Sequence, residues 1–283
     1  MELNLSEVLA VALEAASAGA EAIAKGYYDR DLTVRHKGLI DLVTQYDLKS
    51  EKIVRDIIRA HYPEHEVLAE EEGLSAANPR APRWYVDPLD GTTNFVHRHP
   101  FFAVSLALAI PDEKGRLSPL VGVVHAPILR ECYYAVRGGG AYIRNPDRLS
   151  GEIDQKLQVS LIKKPVDALV NTGFPYDVQS RAEEIMEPLG RVIKKFQAVR
   201  RAGAASLDLA FVAAGRAEGY WEAGLKPWDV AAGMLLVTEA GGRISDYQVR
   251  DYVLEKSQGL LASNSLIHDV LAGLLAGSNK IRT

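Results

Sequence analysis

The segment Trp84-Tyr85-Val86-Asp87-Pro88-Leu89-Asp90-Gly91-Thr92-Thr93-Asn94 runs an apolar stretch directly into two carboxylates set three apart, then a glycine and two hydroxyls. A short apolar run cut by Pro and Gly reads as a strand. Pro88 removes a backbone donor and fixes φ, and Gly91 permits a tight backbone approach. Such a strand end can aim both carboxylates at one point, with the N–H groups after Gly91 facing the same space. Hard divalent cations take oxygen ligands, and Mg2+ pairs a few carboxylates with substrate phosphate. N–H groups after a glycine, at a helix start, suit that phosphate. Asp-Pro and Asp-Gly are also ordinary turn punctuation, and on this segment alone both readings stand.

Two further acidic segments bear on the choice. Ala69-Glu70-Glu71-Glu72-Gly73 closes another expected strand, over 66–70. Adjacent acids repel, so this is a solvated loop or a place where a metal compensates them. In Trp221-Glu222-Ala223-Gly224-Leu225-Lys226-Pro227-Trp228-Asp229, the last residue falls in the first turn of an expected helix over 228–240. The helix macrodipole favours an acid there without any further role.

Working outward, Leu5, Leu9, Leu13, Ala16, Ala20 and Ile23 recur at helical spacing and predict a helix over 5–25. A second helix begins near Asp47 and is ended by Pro63. Between them, 29–43 is polar and mixed, a mobile loop or a short hairpin. Apolar runs at 66–70, 83–87, 102–110, 120–125 and 132–136 predict a mostly antiparallel meander, with a turn at glycines 138–140. The second half alternates: strand 168–171, helix 181–196, strand 197–200, helix 206–214, strand 218–222, helix 228–240, strands 243–245 and 259–262, and helix 265–275. The fold class is therefore α/β, with an α+β first half and an α/β second half. The weakly patterned 144–156 suggests a seam between halves 1–145 and 146–283 of one compact unit.

The 283 residues are 47% apolar and 25% charged, the profile of a folded protein with a sizeable core. Lys and Arg total 33 against 37 Asp and Glu, a net charge of −4. That lacks the basic surplus of a nucleic-acid binder, so no direct nucleic-acid partner is expected. Cys132 is the one cysteine, which excludes an internal disulfide and fits a reducing cytoplasm. No apolar run is long enough to span a bilayer, so no membrane partner is expected.

Taken together, Glu70-Glu71, Asp87-Pro88-Leu89-Asp90-Gly91-Thr92-Thr93 and Trp228-Asp229-Val230-Ala231-Ala232-Gly233 resemble the three signature blocks of the inositol monophosphatase family. These are Mg2+-dependent, lithium-sensitive sugar phosphatases. Asp41-Leu42-Val43-Thr44 with Asp47, Gly203-Ala204-Ala205 and Glu239-Ala240-Gly241-Gly242 support the match, which runs in order from about residue 5 to 275. The resemblance implies the layered αβαβα sandwich shared with fructose-1,6-bisphosphatase, and a homodimer. It implies that Glu70, Asp87 and the Leu89 carbonyl hold one Mg2+, and Asp87, Asp90 and Asp229 a second. A third, loosely held ion would lean on Glu70. Water activated there and oriented by Glu70 and Thr92 would attack phosphorus in line, with Asp90 among the catalytic acids and no phospho-enzyme. The N–H groups of Gly91 and Thr92 would bind phosphate. Asp90, Glu222, Asp229 and the backbone of Gly203, Ala204 and Ala205 would contact the substrate.

Other positions carry weaker implications. Lys37 resembles a residue on the family's mobile loop. Thr44 and Asp47 would orient waters around the metal, or else cap the second helix. Thr172 lies in Asn171-Thr172-Gly173-Phe174-Pro175-Tyr176, a stretch closer to bacterial and archaeal relatives, some of which also hydrolyse fructose 1,6-bisphosphate. Arg200 or Arg201 could contact a second phosphate, or make a structural or subunit ion pair. The expected activity is hydrolysis of inositol 1-phosphate or a similar polyol phosphate. The alternatives are a fructose-1,6-bisphosphatase or dual-activity enzyme, a nucleotide 3′- or 2′-phosphatase, and a regulatory partner of RNA-processing or transcription machinery.

Overall fold

Asn4 accepts the Ser6 N–H and starts helix α1 (Leu5–Tyr27), whose Ala12, Ala15, Ala16 and Ala20 face inward. The computed structural model describes residues 3–74, 78, 81–144 and 154–276. Thr44 caps α2 (Gln45–His61): its N–H and hydroxyl donate to Asp47, and its oxygen accepts the Tyr46 N–H. This box satisfies first-turn donors that the helix itself leaves orphaned. Between these helices, β1 (Val34–His36) and β2 (Leu42–Thr44) pair antiparallel, so 29–43 contains the hairpin of the two expected forms.

The strands β3 (Glu66–Ala69), β4 (Gly73–Leu74), β5 (Arg83–Asp90), β6 (Ala103–Pro111), β7 (Leu117–Ala126), β8 (Glu131–Val136), β9 (Gly140–Arg144) and β10 (Asp154–Lys156) form one sheet, with a short helix α3 (Thr92–Val96) after β5. Its order is β10-β9-β8-β7-β6-β5-β3-β4. Every neighbouring pair is antiparallel except β3–β5. The sheet does not stop at 145: Asp154 pairs with Arg144, so the first sheet ends at Lys156.

The rest of the chain gives β11 (Leu169–Thr172), α4 (Ala182–Ile193), β12 (Ala198–Arg200), α5 (Ala205–Ala213), β13 (Gly219–Ala223), α6 (Pro227–Glu239), β14 (Arg243–Ser245), β15 (Gly259–Ser263) and α7 (His268–Ala276). The strands form a mixed sheet in the order β12-β11-β13-β15-β14. Helix α4 starts and ends inside the expected 181–196, and α7 starts three residues later than expected because Asn264 first turns the chain by accepting from Leu266 and Ile267 N–H.

Three apolar cores fix the layering. One joins α1 and α2 to the first sheet through Val8, Ile23, Val54, Trp84 and Val86. The second fills the space from Tyr85 on the opposite face, through α5 and α6, to Tyr220 and Leu260 of the second sheet. The third packs α4 and α7 on the outer face of that sheet through Val170, Val192, Leu261 and Leu271. The order is α, β, α, β, α. Neighbours Trp84 and Tyr85 fall into different cores because strand side chains alternate between faces. The α5–α6 layer serves both sheets, so the chemistry-bearing ends of β5 and α6 meet at one place. Among the described residues, no helix is long and apolar enough to cross a membrane.

Candidate active site

Residues three apart on an unbroken strand point to opposite faces. On β5 the register runs Asp87↔Ser105 and then Asp90↔Ala103, so three steps of β5 match two of β6. The extra residue is a bulge, which re-aims the side chains beyond it. Asp87 and Asp90 consequently line the same cleft, about 310 Å³ in volume. The Ser50 hydroxyl pins the bulge by donating to the Pro88 carbonyl at 2.9 Å, and the Leu89 N–H donates to Asp87 Oδ1 at 3.1 Å.

Gly91 then turns the chain at φ 90° and caps α3. A Cβ there would lie 3.0 Å from the Phe101 carbonyl and 3.2 Å from Ala204 Cβ, so both the backbone angle and the close approach require glycine. First-turn N–H groups have no partner within a helix, and those of α3 begin at Thr92, on the cleft wall. The Thr92 hydroxyl lies 3.0 Å from both Asp47 Oδ1 and the Leu89 carbonyl. Asp47 thus caps α2 with one oxygen and holds Thr92 with the other.

Glu70 arrives through the parallel β3–β5 pair. Ala69 pairs with Val86 and the Glu70 N–H donates to the Val86 carbonyl, which puts Glu70 beside Asp87. Asp229 arrives on the first turn of α6, its Oδ2 accepting the Lys226 N–H at 2.7 Å. The Ser105 hydroxyl, opposite Asp87, donates to the Trp228 carbonyl and ties that helix start to the first sheet. Glu222 stands on β13, with the Tyr220 hydroxyl donating to its Oε2 at 2.5 Å. A Cβ on Gly173 would sit 1.7 Å from that same oxygen, so Gly173 is the space the Glu222 carboxylate occupies.

In the fold the run Glu70-Glu71-Glu72 meets protein cations, and Glu72 also reaches solvent. Lys37 Nζ, on the β1–β2 turn, lies 2.7 Å from Glu70 and 2.8 Å from Glu71, while Arg55 lies 3.2 Å from Glu72. The N–H groups of Glu71 and Glu72 donate to the buried Glu51. Burial alone would lower the Lys37 pKa, but the two carboxylates outweigh it and hold the ammonium above the usual lysine range.

Burial dominates the acids, and repulsion between carboxylates follows it at Asp87 and Asp229. Asp87 is pushed well above the ordinary aspartate range by burial and by Glu70, Asp90 and Asp229. Asp229 is likewise raised, by burial and then Asp90. Burial raises Glu70 to about 7 against the pull of Lys37. Asp90 reaches about 6, burial outweighing the donors from Ser206 and Ala205. Glu222 reaches about 7, again through burial. Such a set has free energy to gain from a cation.

The donor set fits a hard divalent cation: carboxylates and the Leu89 carbonyl on one cleft, joined by a buried Asp41 Oδ1 that has no hydrogen-bond partner. Each of the four acids is meanwhile held by a protein donor, Lys37, Leu89 N–H, the α5 start or Lys226 N–H. As they stand, no three acids, histidines or cysteines among the described residues are grouped to hold an ion. Holding one would draw on the carboxylate acceptor sites that these donors leave free.

The cleft lining contains Lys37, Glu70, Asp87, Leu89, Asp90, Gly91, Thr92, Arg201, Gly203, Ala205, Glu222 and Asp229. Other candidates lie outside it. Ala204 is buried beneath, against Gly91. Thr44 is committed to its cap. The Thr172 hydroxyl points back to the Trp221 carbonyl of β13, so it offers nothing to the cleft. Arg200 is exposed and donates to the Val199 carbonyl, away from the cleft that Arg201 lines. Sequence reasoning missed Asp41 and Tyr176 on the wall, and Ser206 and Tyr220 behind it. Asp41 carried a signal, since it opens the Asp41-Leu42-Val43-Thr44 block.

Known proteins share this arrangement of sequence and fold. Residues 4–280 match the inositol monophosphatase family. The chain is 41% identical over 241 residues to the Nus factor SuhB of Escherichia coli (strain K12), covering 85% of each. It is 35% identical over 257 residues to the inositol-1-monophosphatase of Caulobacter vibrioides, covering 90% of this chain and 96% of that one. The solved structure of extragenic suppressor protein SuhB from Bartonella henselae matches with a TM-score of 0.85 at 35% identity, covering 98% of this chain and all of that one. With a match spanning all three acidic segments and the same five layers, the chain belongs to the inositol monophosphatase family.

Proposed function

We propose that the chain is a Mg2+-dependent phosphomonoesterase acting on inositol 1-phosphate or a similar sugar or polyol phosphate. The observation that carries this reading is the bulged end of β5, where Asp87, Asp90 and the start of α3 share one cleft with Glu70 and Asp229. Two or three Mg2+ held by Glu70, Asp87, Asp90, Asp229 and the Leu89 carbonyl would supply Lewis acidity and a water nucleophile at neutral pH. The N–H groups of Gly91 and Thr92 bind the phosphate oxygens. Thr92, steadied by Asp47, and Glu70 orient the attacking water. Glu222, Asp90, Asp229 and the backbone of Gly203 and Ala205 position the substrate, with Glu222 accepting from vicinal hydroxyls. A cytoplasmic homodimer inhibited by lithium completes the reading, on the strength of the family resemblance.

A panel of phosphate esters ranked by kcat/KM tests it, because specificity is a ratio. Inositol 1-phosphate should rank first. A first place for adenosine 3′- or 2′-phosphate would replace the substrate assignment. Arg201 favours a second reading, a bisphosphatase. Its guanidinium lines the cleft and lies 5.7 Å from the Phe174 ring, and its charge already acts on Asp90 and Glu222, which places a cation where a second phosphate would bind. Fructose 1,6-bisphosphate leading the panel, and falling in Arg201→Ala, would select it. The SuhB relatives named Nus factors support a regulatory binding role beside catalysis. Partner capture surviving in Asp87→Asn would separate the two.

A further inference from the structure

Asp90 accepts hydrogen bonds on both of its oxygens, whereas Glu70, Asp87, Asp229 and Glu222 each accept on one. Asp90 Oδ2 accepts the Ser206 N–H at 2.7 Å and the Ser206 hydroxyl at 2.5 Å. Oδ1 accepts only the Ala205 N–H, at 3.2 Å. An ionised carboxylate has about four acceptor sites, two per oxygen. Oδ2 is therefore full, and Oδ1 keeps one site. Ser206 is fully buried on α5, in the helix layer that both sheets share, so its hydroxyl cannot turn to water instead.

We propose that Ser206 is a positioning residue for the metal site: its hydroxyl and N–H occupy Asp90 Oδ2 and restrict Asp90 to one-oxygen coordination through Oδ1. The inference rests on the metal-dependent reading above and deepens it. One-oxygen coordination matters because Mg2+ demands near-octahedral geometry from single oxygens, whereas the larger Ca2+ accepts carboxylates through both oxygens. A hydroxyl that blocks Oδ2 thus biases the site towards Mg2+. Backbone N–H groups alone do not give this bias, since alanine at 206 would keep the N–H contact and release the second acceptor site of Oδ2.

The test is calorimetric titration of the metal-free full-length protein with Mg2+ and with Ca2+, alongside melting temperature. In Ser206→Ala the ratio of Mg2+ to Ca2+ affinity should fall by about tenfold, the lower end of what outer hydrogen-bond partners of metal ligands confer. Ser206→Cys, which keeps the volume but gives up the strong donor, should shift the ratio as alanine does. Ser206→Thr, which keeps the hydroxyl, should hold it. A ratio within twofold of wild type in both Ser206→Ala and Ser206→Cys overturns the proposal, as does an equal shift in a folded Ser206→Thr. A wild-type protein that binds neither ion overturns the metal-dependent reading itself, and this inference with it.

Discussion

The cleft has two unlike walls. One is the bulged end of β5 with the start of α3, built on a strand whose Trp84, Tyr85 and Val86 are buried in two cores. The other is the β1–β2 hairpin, whose first strand is exposed throughout and which meets the acids through Lys37. Asp87, Asp90 and Gly91 are set by backbone register and packing, while Lys37 and Asp41 are carried on the turn that joins two three-residue strands. The difference teaches where geometry can be exact to a fraction of an ångström and where it can give. The acids Asp87 and Asp90 sit on the packed wall, and the exposed hairpin meets the cleft through Lys37.

The largest test of this contrast removes a charge from the packed wall. Asp87→Asn should lower kcat/KM by about a thousandfold, the order lost with one well-placed partner of transition-state charge, while the melting temperature holds or rises because a buried like charge has gone. A steady-state assay and a thermal melt check both halves. Next comes the backbone of the same wall. Gly91→Ala must adopt φ 90° and meet the Phe101 carbonyl at 3.0 Å, so denaturant titration should show a loss of about 1–3 kcal/mol.

A third test concerns protons. Glu70 and Asp90 are raised to about 7 and about 6 in the fold. From the ordinary carboxylate range up to those values, the folded protein binds more protons than the unfolded chain, so metal-free stability should fall as pH rises. Melts in chelator from pH 5 to 8 should show that decline, and added Mg2+ should raise the melting temperature more at pH 8 than at pH 5. The smallest effect belongs to the hairpin. Lys37→Ala breaks two contacts from a partly exposed ammonium and should cost only about 0.5–1 kcal/mol by denaturant titration.

The same two walls differ in how much of them the sequence discloses. The apolar runs at 83–87 and 102–110 announce β5 and β6, and the acids after them announce the packed wall. The bulge is invisible in the sequence, because it exists only in the pairing of Asp87 with Ser105 and Asp90 with Ala103, residues of another strand. Helix α3 escapes periodicity because five residues hold barely one turn. The extension of the first sheet to Lys156 escapes because β10 is short and polar, and forms only against β9. On the hairpin side Lys37 could be singled out, but its partners could not: three adjacent glutamates suggest solvent or a metal, and only the fold brings Lys37 and Arg55 to them. Ser206 carries no motif at all. Its role depends on one hydroxyl meeting one carboxylate oxygen from 116 residues away.

Phosphate release from inositol 1-phosphate as a function of free Mg2+ tests the central claim most directly, that the bulged strand end gathers acids around catalytic metal. The expected result is saturable activation by Mg2+, abolished by excess chelator and restored when the ion is returned. Undiminished turnover in excess chelator would contradict it.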